Sequence, residues 1–308
     1  MMAAMWVGCL GTSPLAQQPQ APPAGQRPLR LGFLPGSSEL HEEHLRALGA
    51  RVASDAQVAE ALESEGIEAS ITLLPASSVR DLGENMSIGR YDIVLAPVSA
   101  LQRYEEAGYR VVFQLRRDGD AWDSRGALGV QQQSVIFGRV GNPRRMDDPD
   151  ARWAFVGGDS ASGHIYPRLH LMSLGIEPRD VMLRPTEEEV CRMVLNGLAD
   201  FGATDRLRFD AFEAQRAAAP HSPLLPGFRR SALHIIETTP YFPAPPVLMH
   251  RRLADTAAGR ALRAWMQEWF EQRRAQLNAQ LTRASDAAFA RINDDLDRYY
   301  RALQAPDP

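Results

Sequence analysis

The sequence predicts an α/β protein of two domains joined by two crossing segments. Three observations carry that expectation. Strand-like and helix-like stretches alternate over most of the chain, the signature of a parallel sheet wrapped by helices. A polar, glycine-containing stretch at residues 116–127 separates two such alternations. A later strand pattern at 232–238 offers a route back to the first domain before the C-terminal helices. The boundaries expected are 1–28 for a leader and linker, 29–115 with 232–308 for the first domain, and 116–231 for an inserted second domain.

The N-terminal half is read in order. Residues 1–10 are apolar and uncharged, and residues 15–28 are rich in Pro, Gln and Ala, as in an export signal followed by a tether. Gly8 and Cys9 fit a bacterial lipobox, with Trp6 where leucine is usual, so Cys9 is the expected lipid anchor. Only eight residues, none basic, precede Cys9, which is short for such a signal and implies a longer leader upstream. Residues 29–34 form a strand and 35–38 a turn ending in Ser37 and Ser38, with a helix after it. Residues 58–64 present Val58, Ala61 and Leu62 on one helical face, and 67–74 alternate with the period of a strand. A helix weakened by Gly83 is expected over 79–88, a buried strand over 91–95, a helix over 100–107 and a strand over 109–115.

In the second half, strands are expected at 133–140, 153–156, 181–183 and 199–203, with a helix at 186–198 whose first turn carries Glu187, Glu188 and Glu189. Three acidic residues there complement the helix dipole. Residues 216–230 are polar and irregular, and 240–246 are stiffened by four prolines. After a short strand at 247–250, residues from 253 onward are helical, with Leu262, Trp265, Met266 and Phe270 on one stripe, and a final helix spans 284–303.

Bulk properties narrow the function classes. The chain has 308 residues and a net charge of −4, which provides no basic field for nucleic acid. All 34 residues of the Lys/Arg class are arginine, dispersed along the chain. Two cysteines, Cys9 and Cys191, do not make a disulfide framework. No apolar run reaches the ~20 residues of a membrane span.

The most informative stretch is 153–164, Trp-Ala-Phe-Val-Gly-Gly-Asp-Ser-Ala-Ser-Gly-His. A buried strand breaks at Gly157-Gly158, and a helix with an apolar stripe through Ile165, Leu169, Leu171 and Met172 follows until Gly175. A strand, a small-residue turn and a helix start make an anion site, because the first helical N–H groups lack partners and the dipole favours negative charge. An ordinary N-cap is the plainer reading of Ser160 taken alone. The repeat of the device sharpens it: Ser37, Ser77 with Ser78, and Ser99 also stand at strand ends, where open α/β sheets bind ligands.

Several other motifs are weaker. The segment Gly158–Ser162 lacks the second glycine of a nucleophile elbow. His41-Glu-Glu-His44 is not the zinc pattern, and Asp147, Asp148 and Asp150 lack the spacing of a calcium loop. No catalytic residue, metal or cofactor is expected.

From residue 29 to about 250 the chain resembles the substrate-binding proteins of phosphate/phosphonate/phosphite-type ABC transporters. The matching stretches are Leu29-Arg-Leu-Gly-Phe-Leu-Pro-Gly, Ile71-Thr-Leu-Leu-Pro-Ala, Tyr91-Asp-Ile-Val-Leu-Ala-Pro-Val-Ser, Ser134-Val-Ile-Phe, the 153–164 stretch, Val194-Leu-Asn-Gly-Leu-Ala-Asp-Phe-Gly-Ala and Asp205. The resemblance implies the type II periplasmic-binding-protein fold, a non-enzymatic role, a small oxyanion-bearing solute, an ABC permease in the inner membrane as partner, and a monomer in the periplasm or lipid-anchored on the outer face of the inner membrane. It implies ligand contacts at Ser160, Ala161, Ser162 and Gly163, the family's anion loop, at Ser99, and at Asp205 across the cleft. Ser37, Ser77, Ser78, His164 and Glu187 complete the expected set. Ala161 replaces a hydroxyl of the family loop, Val79 and Ala100 stand where ligand-facing tyrosines are usual, and the Glu187 region is acidic where a histidine is expected. These departures point to a different, larger or zwitterionic, oxyanion compound. A ligand-sensing module serving a membrane kinase is the alternative on the same fold.

Overall fold

The computed structural model describes residues 26–35, 42–102, 104–117, 120–122, 130–218, 232–277, 279–284, 286–289 and 291–304. Ser37, His41 and Cys9 lie outside the described residues.

The first alternation is present. Strand β1 (Arg27–Phe33) leads to helices α1 (Glu42–Val52) and α2 (Ala56–Ser64), then β2 (Ile67–Pro75), α3 (Val79–Ser87), β3 (Ile93–Leu95), a 3-10 turn at Val98–Ala100, and β4 (Tyr109–Arg117). The expected helix over 100–107 reduces to that turn, with Tyr104 held by a hydrogen bond from its hydroxyl to the Asp286 carboxylate at 3.1 Å. Two short strands, β5 (Ala121–Trp122) and β6 (Val130–Gln132), come next. Then follow β7 (Ser134–Arg139), β8 (Arg152–Val156), a wide helical turn at Ala161–Ile165 that runs into α4 (Tyr166–Ser173), β9 (Asp180–Arg184), α5 (Glu187–Leu195), β10 (Phe201–Asp205), α6 (Arg206–Ala218) and β11 (Leu233–Thr238). The chain ends with β12 (Phe242–Pro243), β13 (Pro246–His250), α7 (Arg251–Ala254), α8 (Ala257–Gln272), α9 (Arg274–Leu277), β14 (Ala279–Arg283) and α10 (Ile292–Gln304). Gly175, at φ 72°, ends the helix that follows the 157–163 loop, a left-handed position that glycine adopts without a Cβ penalty.

A six-stranded sheet has the order β14-β4-β13-β3-β1-β2 and a five-stranded sheet the order β11-β7-β10-β8-β9. Both are mixed. Strands β2, β1, β3 and β4 run one way and β13 and β14 the other; β10, β8, β9 and β11 run one way and β7 the other. One expectation is corrected here. Strand β11 pairs with β7 instead of returning to the first sheet, so the second crossing begins after Thr238. Period-two alternation marks a strand but carries no information about its partner.

The two crossings are themselves joined. Strand β6 pairs with both β5 and β12, a three-stranded ribbon made from both connections. Buried Gln114 of β4 fastens it: the Val130 amide donates to Gln114 Oε1 at 2.9 Å, and Gln114 Nε2 donates to the Val130 carbonyl at 3.1 Å.

The cores follow the sheets. Leu29, Leu31, Ile93 and Val247 pack under α8 through Leu262, Met266 and Phe270, which buries the predicted stripe. Trp153, Phe155, Phe201 and Ile136 fill one side of the second sheet. Helix α10 differs from expectation, because it does not pack on the first sheet alone. Its Leu296 and Tyr299 share a cluster with Ile165 and Tyr166 of the second sheet's helical layer.

Candidate ligand-binding cleft

A cavity of about 330 Å³ opens where strands of both sheets end. Leu34 and Pro35 follow β1, Pro97 and Val98 follow β3, and Leu115 and Arg117 close β4. From the second sheet come residues 156–162 after β8, Pro185 and Glu187 after β9, and Asp205 at the end of β10. Gln132 and Pro245, from the crossings, complete the wall. Four of these residues are prolines, which hold the turns at three strand ends and one crossing in fixed backbone conformations.

The loop 157–163 supplies the polar face. Ser160 is an N-cap with extended backbone, and the Gly163 N–H donates to its Oγ at 3.0 Å. The Ser160 carbonyl accepts the His164 and Ile165 amides at 3.1 and 2.9 Å. The amides of Ala161 and Ser162 have no acceptor among the described residues, as expected of the first turn of a helix. Both residues and Ser160 line the cavity. Gly163 is required by packing: a Cβ there would overlap the Val156 side chain and stand 3.0 Å from Ser160 Oγ.

Facing this loop is an ion pair that links the two sheets. Arg117 of β4 donates to both oxygens of Asp205 of β10, at 3.1 and 2.8 Å, and to Asp120 Oδ1 from Nη2 at 2.9 Å. All three side chains are buried. Burial by itself lowers the Arg117 pKa, but the charges and hydrogen bonds of Asp205 and Asp120 outweigh it and hold the guanidinium more firmly protonated than usual. For Asp120, burial wins over Arg117 and its pKa is raised.

The sequence-predicted residues therefore divide. Ser160, Ala161, Ser162, Glu187 and Asp205 line the cavity. Asp205, expected to face a ligand, has both oxygens engaged by Arg117, and its Oδ1 also accepts the Leu207 and Arg208 amides at the start of α6. Gly163 lies behind the loop as the capped donor. His164 is a core residue: its Nδ1 meets the Val156 carbonyl at 3.1 Å, its ring packs beside Phe155 and Tyr299, and burial lowers its pKa. Ser77 and Ser78 are used locally. Ser77 donates to Asp81 and Ser78 accepts the Asp81 amide, capping α3 away from the cavity wall. Ser99 is buried, its hydroxyl without a partner among the described residues, one residue beyond the wall residue Val98. Val79 and Ala100 are also core residues.

Arg117 and Asp120 were not anticipated. They fall where the composition marks only a crossing, and no local pattern signals a pair with a partner 88 residues away.

A cavity at the carboxyl ends of strands from two sheets, spanned by a double crossing, defines a bilobal solute-binding protein of the type II periplasmic-binding class. Comparison with known families bears this out and narrows it. The model of the family "ABC transporter, phosphonate, periplasmic substrate-binding protein" matches residues 52–295, and the chain belongs to that family. Among solved structures, a Xanthomonas citri protein bound to ATP aligns with a TM-score of 0.65 at 18% identity, covering 91% of this chain and 99% of that one. The PhnD1 protein of Prochlorococcus marinus in complex with methylphosphonate gives 0.58 at 13% identity, over 90% and 98%. A binding component of an ABC phosphonate transporter from Pseudomonas aeruginosa gives 0.56 at 13% identity, over 92% and 91%. These likenesses show the shared fold. A sequence comparison with curated proteins found no match. Membership of the family makes the chain the periplasmic solute-binding component of a phosphonate-type ABC importer, with a permease as its partner.

Proposed function

We propose that the cleft captures a phosphonate-type oxyanion at the 160–162 turn. The Ser160 and Ser162 hydroxyls and the Ala161 and Ser162 amides are the donors. The observation that carries this reading is the conjunction of two helix-start amides, unpaired among the described residues, with two hydroxyls on the wall of the inter-sheet cavity. The first lobe then comprises the β1–β4 segment and the chain from β13 onward, and the second lobe runs from β7 to β11. The protein acts by binding and release, without catalysis, and works as a monomer. Cys9 anchors it to the membrane by a lipid.

The charge of the wall refines the ligand. Asp159 and Asp205 bring negative charge to the wall, and Arg117, the one cation among the described lining residues, is already paired with Asp205. A purely anionic guest meets repulsion there, whereas one carrying an amine as well as the oxyanion does not. An aminoalkylphosphonate is therefore the favoured class. Calorimetric titration with phosphate, phosphite, methylphosphonate and 2-aminoethylphosphonate tests this. The amine-bearing compound should bind tightest, and no heat from any of the four would refute the assignment. Retention in the membrane fraction, lost in Cys9→Ala, tests the anchor.

A further inference from the structure

A second cavity, of about 480 Å³, lies between α8, the end of α7 and the β4–β14 edge of the first sheet. It shares no lining residue with the cleft. Four guanidinium groups stand on its wall: Arg110 of β4, Arg260 and Arg263 of α8, and Arg283 at the end of β14. Asp255 is the one carboxylate among the described lining residues, and it pairs with Arg110 at 2.8 Å.

The other three arginines donate to neutral acceptors. Arg260 reaches the Asp255 carbonyl at 3.2 Å, Arg263 the Ala254 carbonyl at 2.7 Å, and Arg283 the Gln267 side chain at 3.3 Å. Neutral acceptors leave the charge uncancelled, and a guanidinium has five N–H donors to offer. The half-buried Arg263 registers the crowding: burial first, then the charge of Arg260 and, least, that of Arg283 push its pKa down, and together they outweigh Asp255, which raises it by less than Arg260 lowers it. Like charges converging on one concavity are unfavourable while it is empty and favourable once an anion sits among them. The concentration is notable in a chain whose net charge is −4. Phe113, Val112 and Ala264 add apolar wall.

We propose that this cavity is a second anion site, which takes a phosphate-bearing group of two or more negative charges, bridged by Arg260, Arg263 and Arg283. Guanidinium forks match phosphate oxygens two at a time. The volume falls within the roughly 300–1,000 Å³ of small-molecule sites, so the ligand is larger than a single phosphate. A soluble pyrophosphate-type compound and a phospholipid headgroup offer the same chemistry, and the test separates them.

The full chain is titrated with inorganic pyrophosphate by calorimetry and, in parallel, sedimented with vesicles containing phosphatidic acid. Arg260→Gln with Arg283→Gln removes two exposed charges, and an unchanged melting temperature checks that the fold is intact. Binding should weaken by about tenfold or more in that double variant, as loss of charged hydrogen bonds predicts. It should fall with added salt and persist in Ser162→Ala, which alters only the cleft. Binding of pyrophosphate alone assigns a soluble ligand, and binding of vesicles alone, with the same arginine dependence, assigns a headgroup; either supports the site. Absence of both, survival of binding in the double variant, or its loss in Ser162→Ala overturns the proposal whether or not the cleft binds phosphonates.

Discussion

Ser160 and Ser162 sit two positions apart, yet the structure gives them different work. Ser160 caps a helix and lines the cavity, whereas Ser162 lines the cavity and its hydroxyl makes no hydrogen bond among the described residues. Their alanine variants should therefore separate. Both weaken binding of the preferred phosphonate about tenfold, the cost of one charged hydrogen bond. Only Ser160→Ala should also lower stability, by about 1 kcal/mol, the usual cost of a lost cap. Calorimetry and urea unfolding on the two variants check this, and equal stability losses would contradict it. The turn itself was legible, because strand, glycine pair, hydroxyls and helix are contiguous in sequence. The role of His164 was not: it adjoins the loop, but its imidazole turns to the Val156 carbonyl and an aromatic core. Adjacency in sequence does not report side-chain direction.

Among the elements, the start of β3 depends on one carboxylate. Asp92, with no exposed side chain, receives Arg27 Nη1 at 2.7 Å, Arg252 Nη2 at 2.9 Å and the Arg30 amide at 2.9 Å, and so ties β1 and α7 to the strand between them. Burial raises its pKa, but the hydrogen bonds from Arg27 and Arg30 together win and hold it below the usual carboxylate value. The sign follows from linkage. A depressed carboxylate contributes its stability above the unfolded pKa, about 4, and loses it as pH falls through the lower folded value. Asp92→Asn should cost about 3 kcal/mol at neutral pH, since it strands its arginines, and flatten the acid limb of the stability curve. Urea midpoints between pH 7 and pH 3 measure both effects. The elements themselves were readable where apolar periodicity is strong, as in β2, α5 and α8. They were missed where it is weak: α6 buries only Phe209 and Phe212, and the edge strand β14 alternates over five residues.

At the scale of the whole molecule, what the chain conceals is pairing across distance. The partner of β11, the ribbon joining the crossings and the Arg117–Asp205 bridge all depend on residues far apart in sequence. Arg117→Met leaves two buried carboxylates unpaired, a change of about 3–5 kcal/mol. Such carboxylates take up protons more readily folded than unfolded, so the variant should regain part of its lost stability as pH falls from 7 to 5. Thermal melts at the two pH values decide this, and a variant equally destabilised at both would argue against it. Ligand capture between lobes implies closure about the ribbon. Small-angle scattering should show a smaller radius of gyration with the preferred phosphonate present, and no change under saturation would indicate a rigid cleft.

The four prolines of the cleft wall have a consequence for selectivity. A proline has no amide hydrogen, so Pro35, Pro97, Pro185 and Pro245 present the guest with carbon where another residue would present a donor. In the proposed binding mode the donors to the oxyanion come from the serine turn, and none comes from the backbone of these four residues. With the headgroup held at that turn, as proposed, whatever chain it carries lies against the prolines and the side chains of Leu34, Val98 and Leu115. Discrimination among phosphonates then falls to the tail, with the acid group serving as a common handle.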